Sequence, residues 1–292
     1  MDLFFKYLQY EKRYSPHTLT SYHTDLGQFA QYLQQTYDIT DAAEANHSII
    51  RSWILTLVQQ NIQPRSINRK IACLRSYYRF LLAQQRIEVN PMLRIKAPKA
   101  SKKLPGFVLE EPFNTLLDSF TFEENFEGQR ERLILEFLYG TGIRLAELLG
   151  VQHTDIDHYG KTVRVLGKGN KVRILPLNDS LLGSIDAYQE QKKRYFGENN
   201  SANLLVTNKA RPLYPKFVYR VVKKYISLIT TSEHNSPHVL RHSFATHLLN
   251  KGADLNAIKD LLGHASLAAT QVYTHNSIEK LKSIFEKAHP KA

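Results

Sequence analysis

The chain has 292 residues, of which 42% are hydrophobic and 11% aromatic, and its formal net charge at pH 7 is +12. This length is enough for two domains with separate cores, and the positive charge favours a polyanionic partner, of which nucleic acid is the commonest. One cysteine excludes a disulfide framework. No apolar run approaches the roughly 18 residues of a membrane span, and no signal peptide is present, so we expect a cytoplasmic protein.

The first hundred residues carry the pattern of packed helices and no strand pattern. One helix begins with Ser15 as its N-cap and Pro16 in its first turn, and apolar residues then recur every three or four positions up to Leu33. A second helix surrounds Trp53, and a third covers residues 66–82 with one apolar stripe. Basic residues that lie off this stripe are predicted to contact DNA phosphates or grooves; they are Arg69, Lys70, Arg75 and Arg79.

A basic stretch without hydrophobic period, VNPMLRIKAPKASKKLPGF, follows these helices. It predicts a linker at residues 98–105, between one domain at residues 1–97 and another at residues 106–292. Lysine runs are most often only solvated, but between two domains of a nucleic-acid-binding protein they could lie along phosphates. The lysines concerned are Lys96, Lys99, Lys102 and Lys103.

The second domain is predicted to combine helices with one β-hairpin. The segment QRERLILEFLYG predicts a helix ending at Gly140, and Thr141 could cap the next helix, which would carry Arg144 in its first turn. Alternating apolar residues then flank the turn Gly-Lys-Gly-Asn, so we expect a hairpin with Lys168 at its tip and with Val172 and Ile174 in its alternating pattern. Helices resume after the hairpin.

The segment SPHVLRHSFATHLL raises the question of a metal site. His234, His238 and His242 are spaced by four residues, but Pro237 interrupts any helix before His238, and no acidic or cysteine ligand accompanies them. GKGNK lacks the spacing of a phosphate-binding loop, and the serine hydrolase motif G-x-S-x-G is absent. We therefore expect neither a metal nor another cofactor.

What remains is a set of cationic residues without obvious acidic partners, together with a tyrosine. Each one has an ordinary structural explanation; Arg144, for example, could pair with Glu147. Together they supply what metal-free phosphoryl transfer requires. Guanidiniums can hold non-bridging phosphate oxygens, histidine and lysine can move protons, and a tyrosine can be a covalent nucleophile. The residues are Arg144, Lys168, His238, Arg241, His264 and Tyr273.

Four segments resemble, in this order, the catalytic boxes of the tyrosine recombinases: TGIRLAELLGV, GKGNKVRILPL, HVLRHSFATHLLNKGADL and LLGHASLAATQVYTH. The resemblance covers nearly the whole chain and is closest to the bacterial Xer recombinases, many of which have Ser-Thr-Thr where this chain has Ala268-Ala269-Thr270. It implies a mainly α fold with a small β-sheet or hairpin. A helical, SAM-like core-binding domain and a mixed α+β catalytic domain would together form a two-domain clamp around duplex DNA.

The resemblance also assigns roles to the residues that match the family's boxes. Arg144 and Arg241 would clamp the scissile phosphate. Tyr273 would attack phosphorus and form a 3′-phosphotyrosyl bond, while His238 would move the tyrosine proton. Attack by the 5′-hydroxyl of another strand would reverse the step, so the reaction would need neither metal nor ATP.

Supporting roles follow from the same resemblance. Lys168 would be the general acid for the leaving 5′-hydroxyl, and His264 would occupy a supporting position that is His or Trp in the family. Glu147 resembles the usual structural partner of the region around Arg144. His242 and His247 fall outside the catalytic set and are interpreted as packing or phosphate-side residues.

The resemblance further implies a double-stranded DNA recombination site and a homo- or hetero-tetramer on two such sites, with a paralogous recombinase and a division-site DNA translocase as possible partners. The physiological role would be resolution of chromosome dimers at cell division. The terminal segment SIEKLKSIFEKAHPKA has an apolar face at Ile278, Leu281 and Phe285. This face could pack on its own domain or, as in the family, on a neighbouring protomer.

Three alternatives stay open at this point. An integrase or excisionase of a phage or mobile element shares the chemistry, although the compact length favours an Xer protein. A type IB topoisomerase would relax supercoils without a paired site. A non-catalytic DNA-binding protein would need no nucleophile, and Tyr273 argues against it.

Overall fold

A computed structural model of the chain describes residues 1–99, 107–167, 171–197, 201–231, 235–263, 283–285 and 287–289. The chain divides into two compact units, Met1–Lys103 and Leu104–Ala292. Helices dominate the described residues, and their strands form one small antiparallel sheet, so the predicted fold class is confirmed. Most of the linker predicted at residues 98–105 lies outside the described residues. In the described part of the chain, no helix is both long enough and apolar enough to cross a membrane.

The first unit is built from helices around one apolar core. They are α1 (Asp2–Lys6), continued by a π-helical turn (Tyr7–Glu11), α2 (Pro16–Tyr37), a 3₁₀ turn (Ala42–Glu44), α3 (His47–Gln59) and α4 (Pro64–Ala83). The Ser15 hydroxyl accepts a hydrogen bond from the Thr18 amide and Pro16 occupies the first turn, which confirms the predicted start of α2. The predicted apolar stripe of α4 and the neighbouring Cys73 are buried.

The second unit packs its other elements around one largely buried helix, α6 (Phe126–Thr141). In chain order its elements are α5 (Glu110–Ser119), α6, α7 (Leu145–Gly150), β1 (Ile156–Asp157), β2 (Thr162–Leu166), β3 (Val172–Pro176), α8 (Asp179–Phe196), α9 (Pro215–Ile226), α10 (Pro237–Asn250) and α11 (Leu255–Leu262). The sheet order is β1-β2-β3. Helix α6 packs against α7, α8, α9 and α10, and most of its residues are buried, as expected for a central helix.

The junction between α6 and α7 differs from the prediction. Gly140 lies inside α6, and the helix continues through Thr141 to a left-handed C-cap at Gly142, with φ +60°. A glycine suits this conformation because it has no Cβ. Helix α7 begins at Leu145, so Arg144 is its N-cap residue and does not lie in its first turn. The helix therefore ends later than predicted, and Gly142 is its C-cap in place of Gly140.

The hairpin is present, but the alternating residues Val172 and Ile174 of its second strand do not lie on the buried face. Val165 is buried and pairs with Arg173 across the two strands. Directly opposed residues of an antiparallel pair point to the same face, so Arg173 and Leu175 are buried while Val172 is exposed and Ile174 half-buried. The tip at Lys168 lies outside the described residues.

The C-terminal segment is described only in short pieces. Phe285 is buried, and its ring centroid lies 6.5 Å from that of Phe244 on α10 in the same unit. His289 contacts the same cluster through Phe285, with ring centroids 4.4 Å apart. The Phe285 side chain therefore packs on its own domain; Ile278 and Leu281 lie outside the described residues.

Candidate active site

Helix α10 carries two of the predicted active-site residues on one face. Ser236 is the N-cap and Pro237 the first helical residue, so His238 and Arg241, three positions apart, lie one above the other. Arg241 is buried. Its Nη1 donates to the Gly142 carbonyl and its Nη2 to the Leu262 carbonyl, each at 2.5 Å. Arg241 thereby joins the α6–α7 turn to the end of α11.

Arg144 reaches the same place from the start of α7. Its Nη2 donates to the carbonyl of Gly263 at 2.7 Å, and its Nη1 donates to Glu147 at 2.9 Å. The Glu147 carboxylate also accepts the Arg144 backbone amide at 2.8 Å, which satisfies the amide at the N-cap of α7. The side chain of Arg144 is 35% exposed, so part of the guanidinium is open to a ligand.

The Glu147 carboxylate offsets part of the positive charge of Arg144 and Arg173, with which it forms ion pairs. Burial alone would raise the pKa of this carboxyl, but the charge of Arg173 and hydrogen bonds from Arg144 and Arg173 outweigh burial and lower it. Arg173, buried on β3, donates from Nη2 to Glu147 at 2.6 Å. Glu147 is therefore ionised and is held between two guanidiniums.

Positive charge exceeds negative charge around this carboxylate. Burial, followed by the charges of Arg144 and Arg173, lowers the pKa of Arg241 to about 9, which leaves the side chain charged at pH 7. Burial and the charges of Arg241, His242 and Arg144 lower the pKa of His238, so its imidazole is neutral at pH 7. An anion would relieve this repulsion, and a neutral imidazole can accept a proton.

Three of the six predicted active-site residues are therefore described and lie close together: Arg144, His238 and Arg241. Lys168, His264 and Tyr273 lie outside the described residues. The described neighbours of two of them are nearby. A Cβ on Gly167 would lie 3.4 Å from the Glu147 carboxylate, and the Gly263 carbonyl accepts from Arg144. Among the described residues, no cluster of three or more His, Cys, Asp or Glu could hold a metal ion.

In the first unit, Lys70 does not fit the phosphate contact predicted for it. The side chain is buried, and its ammonium donates to Asp25 at 2.8 Å and to Gln28. Asp25 is also paired with Arg69. A contact of Lys70 with DNA would require removing a paired charge from the core, which is unfavourable. The helical period placed Lys70 off the apolar stripe but could not show that α2 covers it.

Other basic residues of this unit remain on the surface. Arg79 is exposed on α4, and Lys96 and Lys99 are exposed on the segment that follows. That segment runs back along α4, because Arg75 donates to the Ile95 carbonyl at 2.7 Å and Asn68 donates to the Pro98 carbonyl at 3.1 Å. Lys102 and Lys103 lie outside the described residues.

A basic face on α9 was not singled out from the sequence. Lys216, Tyr219, Arg220 and Lys223 are exposed and recur at a spacing of three or four, so they form one stripe. Arg220 Nη2 donates to the Tyr214 hydroxyl at 2.9 Å. Basic and aromatic side chains on one helix face are typical of nucleic-acid contact. The amphipathic pattern of PKFVYRVVKKYI was the available signal.

Comparison with known proteins identifies the family. A profile of the phage integrase family matches residues 110–280, and a profile of the phage integrase N-terminal SAM-like domain matches residues 1–85. The tyrosine recombinase XerC of Chlorobaculum parvum is 38% identical over 317 residues, covering 100% of this chain and 94% of that protein. XerC of Pelobacter propionicus is 40% identical over 287 residues, covering 98% of this chain and 93% of that protein.

Solved structures share the fold. The XerH site-specific recombinase in a post-cleavage complex with its palindromic difH substrate has a TM-score of 0.70 and 22% identity, over 91% of this chain and 78% of that chain. A Tn1549 transposon integrase in complex with transposon right end DNA has a TM-score of 0.72 and 19% identity, over 97% and 98%. The family profiles and the curated relatives establish that the chain belongs to the phage integrase family, as a site-specific tyrosine recombinase of the Xer type.

Proposed function

We propose that Arg144, His238 and Arg241 bind the scissile phosphate of a DNA recombination site, with Tyr273 as the nucleophile. The observation that carries this proposal is the convergence of two guanidiniums at the end of α11, with only Glu147 as a carboxylate partner in the bonds described above. The imidazole of His238 is close enough for the charges of both arginines to lower its pKa. A phosphodiester carries the charge that this arrangement favours.

The chemistry follows from the roles of these groups. The Tyr273 oxygen attacks phosphorus and forms a P–O bond, His238 takes the tyrosine proton, and the P–O bond to the 5′-oxygen breaks. Lys168 gives a proton to that 5′-oxygen. Arg144 and Arg241 stabilise the charge on the non-bridging oxygens. One phosphoester replaces another, so a 5′-hydroxyl can reverse the step without ATP.

The bonds of the two arginines to carbonyls are compatible with phosphate binding. A guanidinium has five N–H donors in a fixed fork. The carbonyls of Gly142 and Leu262 each accept one bond from Arg241, which fixes the plane of the fork. Such preorganisation means that little reorientation is needed when the phosphate acquires charge in the transition state.

We propose that both units contribute phosphate contacts. In the first unit the exposed Arg79, Lys96 and Lys99 are suited to this role, and in the second unit the basic stripe of α9 is suited to it. The domains would be residues 1–97 and 106–292, joined by residues 98–105; the division of the chain at Lys103 supports this assignment.

The assembly and cellular role belong to the same proposal. The chain would act as a homo- or hetero-tetramer on two DNA sites, with itself or a paralogous recombinase, in the cytoplasm. It would resolve chromosome dimers at cell division, and a DNA translocase would activate it. The support is the set of curated relatives named XerC at 38% and 40% identity. For the alternative role in a mobile element the support is a shared fold at low identity, for example with the Tn1549 integrase at 19%.

A plasmid assay tests this function. The protein first selects its binding sequence from a pool of random duplexes, and two copies of that sequence are placed in a supercoiled plasmid. We expect two recombinant circles in EDTA, and none from Tyr273→Phe, which should still bind. Relaxation of a plasmid without the sites would support a topoisomerase instead. Equal products from Tyr273→Phe would contradict the assigned nucleophile.

A further inference from the structure

Three arginines from three separate elements hold the end of α11. Arg173 of β3, Arg241 of α10 and Arg144 before α7 donate, in that order, to the successive carbonyls of residues 261–263. The last carbonyls of a helix lack partners within the helix and carry the negative end of its dipole. Each of three consecutive carbonyls therefore accepts a hydrogen bond from a different arginine, and residue 264 is the next residue in the sequence.

Arg173 differs from the other two arginines because it was not predicted as a site residue, although it is as buried as Arg241. Its side chain is 5% exposed. One terminal nitrogen donates to Glu147 at 2.6 Å, while the other donates to the Leu261 carbonyl. Glu147 in turn binds Arg144 through both its amide and its guanidinium. Arg173 thus connects β3 to Arg144 through the Glu147 carboxylate, and connects β3 to the end of α11 through the Leu261 carbonyl.

We propose that Arg173 is a positioning residue for DNA cleavage: it fixes Arg144, through Glu147, and the end of α11 in the geometry that receives the phosphate. This inference rests on the proposed roles of Arg144 and Arg241. Arg173 does not act on the reacting atoms, because its fork is turned toward Glu147 and Leu261 inside the protein. Residue 168 lies in the sequence between β2 and β3, and Arg173 joins β3 to Glu147 and to the end of α11.

Position 173 requires the planar guanidinium of arginine, with its two terminal nitrogens. Two terminal nitrogens reach two acceptors in different directions, a carboxylate and a carbonyl, whereas a lysine presents one compact charge. Arg173→Lys keeps the charge but cannot keep both bonds in the same geometry. A loss of activity in this variant would therefore report on the fork and not on the charge alone.

Gly263 offers an independent way to disturb the same contact. A Cβ at this residue would lie 3.1 Å from Cδ of Arg173 and 3.4 Å from its Nε, and the residue has φ +60°. The absence of a side chain lets the arginine pack against the helix end. Gly263→Ala would press on Arg173 and strain the backbone whose carbonyl binds Arg144, without removing any hydrogen-bonding group.

The test is single-turnover cleavage of a nicked suicide duplex by the full-length protein, with the rate constant and the final amplitude measured separately. We expect Arg173→Lys to lower the rate constant by about 100-fold, the scale of a small misplacement of catalytic groups, with DNA affinity unchanged within about twofold. Arg164→Lys is the matched control. Arg164 lies on β2 of the same sheet and pairs with Asp155 on the surface, at 2.9 and 3.0 Å, and its variant should cleave at the wild-type rate.

A double-mutant cycle separates positioning from a general structural effect. Because Arg173 acts partly through Glu147, the fold-loss of Arg173→Lys combined with Glu147→Gln should be smaller than the product of the two single fold-losses. Additive losses, a wild-type rate constant for Arg173→Lys, or a loss confined to the amplitude would each overturn the inference. Should Arg173→Lys fail to fold, Gly263→Ala must show the same reduced rate constant, and a normal rate there would overturn it too. Absence of cleavage by the wild type would instead count against the proposed function.

Discussion

Glu147 is the residue on which the charge balance of the site depends. Breaking a buried ion pair leaves an uncompensated charge, so we expect Glu147→Gln to lower the free energy of unfolding of the second unit by about 3 kcal/mol. Urea unfolding followed by far-UV circular dichroism measures this. The only tryptophan, Trp53, is buried in the first unit, so its fluorescence gives an internal reference that should not shift.

A matched surface substitution tests whether this loss comes from burial. Glu190 pairs with Arg194 along α8 at 2.5 Å, and both side chains are about two-thirds exposed, at 64% and 66%. Such pairs contribute little, so Glu190→Gln should change stability by about 0.5 kcal/mol or less. Equal effects of the two glutamine variants would contradict the role given to Glu147.

His153 gives the second unit an acid-sensitive contact. Burial, followed by the charge of Lys192, lowers its pKa, and its Nε2 lies 2.8 Å from the Lys192 Nζ. The folded chain therefore binds fewer protons here than the unfolded chain as pH falls below about 6.5. This contribution to stability is present above that pH and is lost as pH falls toward the folded pKa.

The expected result is a smaller pH dependence of unfolding in a variant without the imidazole. The wild type should lose stability between pH 7 and pH 5 with a slope of up to about 1.4 kcal/mol per pH unit from this residue. His153→Gln should remove that share of the slope, measured by urea unfolding across the range. An unchanged slope would show that His153 titrates alike in both states.

At the scale of elements, Gly142 controls how α6 passes into α7. A Cβ there would lie 2.4 Å from Cδ1 of Phe244, and the residue has φ +60°. We expect Gly142→Ala to destabilise the second unit by about 2 kcal/mol or more, through strain and through displacement of a carbonyl that binds Arg241. Thermal unfolding measures the loss.

The control for this glycine lies on α8. An added Cβ at Gly183 would meet nothing within 4 Å, and the residue is exposed within the helix. Gly183→Ala should therefore raise stability by about 0.5–1 kcal/mol, because alanine favours the helix. If both alanine variants shifted stability in the same direction, the account of Gly142 would be wrong.

Local signals decided which elements could be predicted. The start of α2 follows from a capping serine and a proline, and the apolar face of α4 follows from its period. The position of Arg173 does not follow from local signals, because its burial depends on strand register with Val165 and on Glu147 in α7. Lys70 was misplaced for a similar reason: its partner Asp25 lies 45 residues away.

The residues of the candidate site could be predicted because their types, arginine and histidine, indicate phosphate chemistry. Arg144, His238 and Arg241 were identified from the sequence, and they lie together because α10 and the α6–α7 turn meet at the end of α11. The order of carbonyls that holds them could not be predicted, since hydrogen bonds across more than 20 residues depend on packing. The basic stripe of α9 was visible in the sequence and was missed.

At the scale of the whole molecule, the net charge of +12 predicts DNA binding that weakens steeply with salt. The slope of log K against log salt is about −0.9 per neutralised phosphate. Replacing both Lys216 and Lys223 by Gln should make it less negative by about 1.8. The double variant of the α9 stripe is compared with Lys161→Gln, whose lysine pairs with Asp179 at 2.7 Å and should leave the slope unchanged. If the wild type, the double variant and Lys161→Gln had equal slopes, the α9 stripe would not be a DNA contact.

The most direct test of the central claim is identification of the covalent bond to DNA. The protein is incubated in EDTA with a nicked duplex carrying its selected site, and the SDS-resistant adduct is digested and analysed by mass spectrometry. We predict a nucleotide joined through its 3′-phosphate to the peptide containing Tyr273, and no adduct from Tyr273→Phe. Attachment to another residue, or an adduct that persists in Tyr273→Phe, would contradict the account.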